Sequence, residues 1–311
     1  MKRYYRVMLG KKSAHAAESF AGGYIGSGFG GIKRDVALEL SEEFRAFTDH
    51  FTPEMQGLHP DKSKIAWGLW NGFAWTICRG IQLGDLVLCP DGLGSYRVGE
   101  VTGSYYYVDG SDLPHRRPVT WLPQEIRRSD MSDTLRSATG SAGTVAEVSK
   151  YDTEIEALLG GAKPPSLIAT DPEVEDASSF ALEKHLEDFL VQNWSRTELG
   201  KGYDIYEEEG ESVGQQYLTD TGPLDILALS KDKKSLLVVE LKKGRASDAV
   251  VGQVLRYMGF VQEALAETGQ EVRGVIIAAT DDPRIRRALS MTKNVEFYRF
   301  EVSFKLVKNC A

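Results

Sequence analysis

The sequence predicts an α/β protein in two parts, a small β-barrel followed by an α/β sandwich built on a mixed sheet. Three observations carry that reading. Short apolar runs broken by Gly, Asp and Pro recur from residue 80 to 121 in a turn–strand–turn–strand rhythm. From about residue 177 the order becomes helix, β-hairpin, helix, strand, which is the pattern of helices packed on a mixed sheet. Between them, residues 126–176 are poor in aromatics and rich in Ser, Thr, Gly, Ala and acid. The expected division is therefore 1–125, a linker over 126–176, and 177–311.

Composition sets the outer bounds. At 311 residues, with 42% hydrophobic and 26% charged side chains, the chain has the make-up of an ordinary globular protein of two domains. No apolar run approaches the roughly 20 residues of a membrane helix. The N-terminal MKRYYRVMLGKKSAHA is basic but has no apolar core or cleavage site, so it is not read as a secretory signal. Cys78, Cys89 and Cys310 are odd in number and lack metal-ligand spacing, which points to a reducing, cytoplasmic setting without zinc. The net charge of −8 excludes polyanion binding by the surface as a whole, so contacts to nucleic acid must come from local basic patches.

In the first part, Tyr4 to Leu9 reads as a strand. A loop dense in glycine follows (Gly22, Gly23, Gly26, Gly28, Gly30, Gly31), without the spacing or the lysine of a nucleotide loop. Asp35 to Phe51 has helical spacing of Val36, Leu40, Phe44 and Phe47, and residues 65–79, with Trp67, Trp70, Phe73 and Trp75, read as a second helix. The barrel strands come next, with Asp91-Gly92 as a hairpin turn. The part closes on HRRPVTW, where Arg116 and Arg117 are either solvated or placed to contact phosphates.

These pieces, an opening Y-R-V strand, G-Y-I-G-S-G-F-G, G-D-L-V-L, V-G-E-V-T-G-S-Y and H-R-R-P-V-T-W, resemble the PUA-like domains of the EVE and YTH type. The resemblance implies a small β-barrel with flanking helices, and in several such domains an aromatic cage for a flipped, modified base. Tyr24, Phe29, Trp67, Trp70 and Trp121 are the candidate rings, with a core role as the competing reading for each. The physical logic is that aromatic walls can return about 1–3 kcal/mol of the stacking that an extruded base loses.

Residues 126–176 read as a mostly flexible connection. Lys150 to Leu159 could form a short helix, ended by Gly160-Gly161 and Pro164-Pro165.

In the second part, Ser178-Ser179 can cap a helix through FALEKHLEDFLVQNW, whose Glu183 and Glu187 share a face. Residues 203–218 read as an irregular acidic hairpin. The centre of this part is Gly222 to Lys243. Leu224–Leu229 and Ser235–Leu241 read as two strands joined by Lys231-Asp232-Lys233-Lys234. Period-2 alternation puts Glu240 and Lys242 on one face, and pairing across the hairpin can bring Asp225 to it. Charges at strand ends are often simply solvated. Two carboxylates and an ammonium on one sheet face are otherwise costly unless they hold a metal ion. Such a set suits phosphodiester hydrolysis, where the cation polarises the phosphate and the lysine orients or deprotonates water. Asp248 to Leu265 then reads as a helix with Gln253, Arg256 and Tyr257 on one polar face. Gly274–Thr280 reads as a strand, Asp282–Ser290 as a helix, and Val295–Leu306 as a last strand.

The motifs E-K-H-L-E-D-F-L, G-P-L-D-I-L-A, V-V-E-L-K-K-G-R-A and G-Q-V-L-R-Y-M, in that order, resemble the NucS-type nuclease domain of the PD-(D/E)xK superfamily, which includes Mrr. The resemblance implies a Mg²⁺-dependent DNA endonuclease in which Mn²⁺ can substitute. By motif position it makes Asp225 and Glu240 metal ligands, Glu183 a further metal carboxylate and Lys242 the catalytic lysine. Gln253 and Tyr257 become supporting residues, and Glu187 is the second choice on the helix. Thr221 departs from relatives that carry arginine there. Phosphate contacts are assigned to Arg116, Arg117, Lys243, Arg245 and Arg256.

The combined expectation is a modification-dependent restriction enzyme acting on DNA, with no membrane association and a homodimer by family analogy. The alternatives are a repair endonuclease for mismatched, flapped or single-stranded DNA, and a nucleic-acid-binding module with an inactive nuclease domain.

Overall fold

The computed structural model describes residues 2–141, 143–160, 186–208, 210–280 and 283–300, with backbone alone at 133, 243 and 245. Two sheets organise these residues. The first has seven strands, β1 (Tyr4–Val7), β2 (Tyr24–Ser27), β3 (Leu86–Pro90), β4 (Ser95–Val101), β5 (Tyr106–Tyr107), β6 (His115–Arg127) and β7 (Val145–Glu147). Their order is β2-β6-β4-β3-β1-β7, with β5 also on β6. β1 is parallel to β3, and every other pairing is antiparallel. β6 serves two sets of neighbours: His115–Pro118 pairs with β2, and Val119 onward pairs with β4. The sheet curls around that strand.

Both faces of this sheet are apolar. Tyr5, Val7, Val87 and Cys89 enter one cluster, and Tyr4, Leu86, Leu88 and Val98 enter another. Two buried faces need two covers. On the first lies α1 (Ala16–Gly22), through Ala16 and Phe20. The second is closed by α4 (Asp133–Thr139) and α5 (Asp152–Leu159), through Leu135, Ala138, Tyr151 and Ile155. The expected linker is therefore corrected: residues 126–160 belong to this fold, with β7 pairing β1 and two helices sealing its second face. The sequence carried a signal for this in Leu86-Val87-Leu88-Cys89, because a strand apolar at every position is covered on both sides. Residues 161–176 lie outside the described residues.

Between β2 and β3 stand α2 (Phe44–Leu58) and α3 (Lys64–Trp75). α2 begins later than the expected Asp35, and Val36 packs as part of a turn beneath it. Phe47, Phe51 and Met55 of α2 meet Trp67 and Ala74 of α3 and Phe29 of the glycine loop. Ser63 caps α3 by accepting from the Ala66 N–H.

The second sheet has six strands. β8 (Tyr203–Ile205) is followed by a minute hairpin, β9 (Glu207–Glu208) and β10 (Glu211–Ser212), which stands apart. Then come β11 (Gln215–Thr219), β12 (Gly222–Ser230), β13 (Ser235–Arg245), β14 (Glu271–Thr280) and β15 (Val295–Arg299). The order is β11-β12-β13-β14-β15, with β8 also on β12. β12 and β13 are antiparallel, whereas β13–β14 and β14–β15 are parallel, so the sheet is mixed as expected. One face carries α6 (helical residues 186–192), Trp194 and α7 (Glu198–Gly202) over Ile226, Val239, Leu241 and Ile277. The other carries α8 (Asp248–Phe260) and α9 (Pro283–Ser290). α8 lies so close to β14 that a Cβ on Gly274 would come within 2.6 Å of both Met258 and Val254.

α8 does not cover its face alone. Phe44, Ile65 and Leu69 from α2 and α3 join Tyr217, Leu224, Leu227, Val238 and Leu265 in one cluster. The Tyr217 hydroxyl donates to the Ile65 carbonyl at 2.9 Å, and Lys62 reaches Glu208 at 2.7 Å. The division near residue 125 thus separates two sheets but not two cores. Among the described residues no helix is long and apolar enough to cross a membrane.

Candidate active site

Gly222 to Lys243 folds as a hairpin, and its register places the charges. The last paired residues of β12 and β13 are Ile226 and Val239. One step further sets Asp225 opposite Glu240, on the face shared by Leu227 and Val238. Like charges directly opposed in a sheet are unfavourable, and the ladder stops there. Asp225 instead accepts from the Leu241 N–H with Oδ2, at 2.8 Å. Glu240 is buried, and its Oε1 accepts from Lys242 Nζ at 2.8 Å. Lys242 keeps about a third of its side chain exposed.

The electrostatics follow from crowding. Burial raises the Asp225 carboxyl well above the ordinary aspartate value, and the charges of Glu240 and Glu187 add to it. The Leu241 N–H and the Lys242 ammonium pull the other way without prevailing. On α8, Gln253 donates to the Tyr257 hydroxyl at 3.4 Å, which donates to the Pro223 carbonyl at 3.0 Å. Burial raises the Tyr257 hydroxyl pKa. α8 thus brings its polar edge to the start of β12.

Glu183 lies outside the described residues. Glu187, one turn on, is 4% exposed. Gln215 Nε2 donates to its Oε1 at 2.6 Å and Gln216 Nε2 to its Oε2 at 2.9 Å. The same Gln216 nitrogen donates to Asp225 Oδ1 at 3.2 Å, so one amide bridges two carboxylates. Nothing in the sequence pattern singled out Gln215 or Gln216, whose role depends on a local backbone turn.

Among the described residues no three of His, Cys, Asp and Glu gather closely enough to hold a metal ion by themselves. The donor set nevertheless suits a hard cation that keeps several waters and needs only one or two carboxylates. Asp225 and Glu240 are two described carboxyl groups that could supply them.

The ring candidates fall into two groups. Tyr24 and Trp67 are core: Tyr24 donates to Glu18 at 2.7 Å beneath the Arg116 guanidinium, and Trp67 donates to the His59 carbonyl at 3.0 Å. Trp121 packs edge-on against Phe20. Phe29 and Trp70 do border a cleft of about 630 Å³. It lies between the glycine loop, α3 and the β9–β10 hairpin, and Lys12, Ser27, Phe73 and Glu211 also line it. The assignment of Tyr24, Phe29 and Trp67 to a ligand cage is thus corrected, because all three rings are sealed from solvent.

Two of the phosphate contacts are also corrected. Arg116 is 9% exposed and Arg117 4%. Arg116 donates to the Leu113 carbonyl, and Arg117 to the carbonyls of Gly103 and Ile81, at 2.7 to 2.8 Å. Those guanidinium groups are spent on closing loops over the barrel. Arg256 is exposed on α8. The side chains of Lys243 and Arg245 lie outside the described residues.

Comparison with known proteins places these residues. Residues 182–310 match the family described as the endonuclease NucS C-terminal domain, and residues 5–149 match one described as a domain of unknown function (DUF8426). The endonuclease NucS of Sulfolobus acidocaldarius is 30% identical over 208 residues, covering 64% of this chain and 71% of that protein. The chain belongs to the NucS endonuclease family. The NucS of Methanocaldococcus jannaschii is 30% identical over 96 residues, 31% of this chain and 35% of that one. Among solved structures, an EndoMS–dsDNA complex is 19% identical, with a TM-score of 0.33 over 68% of this chain and 79% of that chain. Asp225, Glu240, Lys242, Gln253, Tyr257 and Glu187 all fall within the NucS C-terminal match, and the Trp70 cleft draws mainly on the other. The chain is thus a NucS-type nuclease joined to a curled-sheet unit.

Proposed function

We propose that this chain is a Mg²⁺-dependent DNA endonuclease, with Mn²⁺ able to substitute, whose cutting is gated by a base accepted in the Trp70 cleft. The observation that carries the hydrolytic reading is the opposition of Asp225 and Glu240 on one sheet face, with Lys242 at 2.8 Å from Glu240. Asp225 and Glu240 would hold the cation, joined by Glu187 or Glu183 from the preceding helix. A bound divalent cation supplies Lewis-acid polarisation of the scissile phosphate. Lys242 keeps its ammonium at the mouth of the site, where it orients the attacking water and offsets charge building on the phosphate. Tyr257 and Gln253 fix the start of β12 and so the direction of Asp225. Arg256, exposed on α8, is a phosphate contact in this reading, and Lys243 and Arg245 are assigned to that role from the sequence alone.

The cleft supports the modification-dependent reading, because Trp70 and Phe73 offer ring faces and the glycine loop lets a flat ligand approach the backbone. The competing reading is a repair endonuclease that acts on mismatched, flapped or single-stranded DNA. One cleavage panel separates them. It holds plasmid with methylated or hydroxymethylated cytosine, plasmid with methylated adenine, unmodified plasmid, single strands and mismatched duplex, each with Mg²⁺ or Mn²⁺. Cutting confined to modified plasmid supports gating. Cutting of unmodified mismatches makes this a repair enzyme, and absence of metal-dependent cutting on every substrate overturns the nuclease reading of this chain. A homodimer, needed to cut both strands at once, is checked by sedimentation on DNA.

A further inference from the structure

Gln216 occupies a position that the strand pattern forbids to an ordinary residue. β11 pairs with β12 through Gln215–Ile226 and Tyr217–Leu224, so the same register sets Gln216 opposite Asp225. On its other side Asp225 stands opposite Glu240. Gln216, Asp225 and Glu240 therefore lie in one row across three strands, and neither step of the row is a regular ladder pair. Consecutive side chains on a strand point to opposite faces, yet Gln215 and Gln216 both reach the Glu187 carboxylate. A left-handed backbone at Gln216, φ 53°, breaks the alternation and makes this double approach available. That conformation is unfavourable for a residue with a Cβ. Here it aims one amide at two carboxylates from different layers of the fold, Glu187 on the helix and Asp225 on the sheet.

We infer that Gln216 is a positioning residue of the nuclease centre: its side-chain amide fixes the direction of Asp225 and its spacing from Glu187, so that Asp225 and Glu240 are held ready for a divalent cation with Glu187 beside them. The inference rests on the metal-dependent reading above. Gln215 secures the other Glu187 oxygen and also reaches Asp188 at 3.2 Å, so its loss affects the helix end as well.

The test is Mn²⁺ binding by calorimetry on the full chain, with thermal unfolding of the metal-free protein beside it. Gln216→Gly is the decisive variant, because glycine accepts the left-handed backbone without strain while the side chain and its amide are removed. Its unfolding midpoint should equal or exceed that of the parent, while Mn²⁺ affinity falls roughly 10- to 100-fold, as when a group orienting a metal ligand is removed. Gln216→Glu keeps the length but replaces the donor by a charge, and should weaken the metal-free fold. Unchanged Mn²⁺ affinity in Gln216→Gly overturns the inference. Absence of Mn²⁺ binding by the parent chain overturns the metal reading and this inference with it, a distinct outcome. A Gln216→Gly chain that melts well below the parent makes the residue a structural support and also overturns it.

Discussion

Asp225 and Glu240 face each other across antiparallel strands one step beyond the last paired residues, Ile226 and Val239. The fold holds two carboxyl groups together, with Lys242 bonded to Glu240. Asp225→Asn removes one of them and turns a donor toward Gln216 or Leu241, each of which donates to Asp225. It should abolish cleavage and leave the metal-free chain within about 1 kcal/mol of the parent, the relieved contact with Glu240 being offset by the lost acceptor. Glu240→Gln and Lys242→Ala should also abolish it with the fold intact. Denaturant unfolding beside a nicking assay reads both effects.

The raised Asp225 pKa fixes a sign for pH. Above the ordinary aspartate value the unfolded chain has lost this proton while the folded chain still holds it. Folding then takes up a proton, so the metal-free chain loses stability as pH rises through that window. A divalent cation needs the carboxylate ionised, so its binding should strengthen over the same rise. Melting and Mn²⁺ titration across mildly acidic to neutral pH should show opposite slopes, and Asp225→Asn should flatten both.

Glu187 is the buried helix carboxylate at the centre, tied by two glutamines. Glu187→Ala should reduce the cleavage rate by at least about tenfold. If only Glu183→Ala does so, Glu187 serves the fold alone. Rates at saturating Mg²⁺ for both variants settle which turn of the helix acts.

The joint between the two sheets rests on close contact. A Cβ on Gly68 would lie 2.8 Å from both Leu265 and the Tyr217 hydroxyl. Gly68→Ala should cost about 1–3 kcal/mol by overpacking, and Tyr217→Phe about 1 kcal/mol by leaving the Ile65 carbonyl without its donor. Thermal unfolding should remain one transition in the parent chain, because Phe44, Ile65 and Leu69 share a core with the second sheet.

The arginines separate by burial. Arg117→Ala should destabilise the fold, since its guanidinium closes loops at Gly103 and Ile81. Exposed Arg256 should act on DNA affinity instead, its replacement by alanine lowering the salt dependence of binding by about one unit. Binding isotherms at several salt concentrations measure the difference.

The second sheet was legible because its information is local. Strand alternation alone set Glu240 and Lys242 on one face, and a short polar turn between apolar runs made Asp225 their neighbour. The helix carrying Gln253 and Tyr257 declared itself by its 3.6 period. The first part was legible in its strands and in the helix expected over Lys150 to Leu159, but not in what covers its second face, since the apolar residues that seal Leu86 and Leu88 are few, lie in a polar stretch and matter only once packed.

The sequence by itself determined the mixed sheet and the charged hairpin, because period and spacing encode which side chains share a face. Only the tertiary structure decided that Arg116 and Arg117 close loops, that Tyr24 and Trp67 are core, that α2 and α3 serve both sheets, and that Gln216 turns against its strand to hold Glu187 beside Asp225. Burial and bridging depend on which distant segments meet. The alternation rule that reveals Glu240 and Lys242 is the rule that Gln216 breaks.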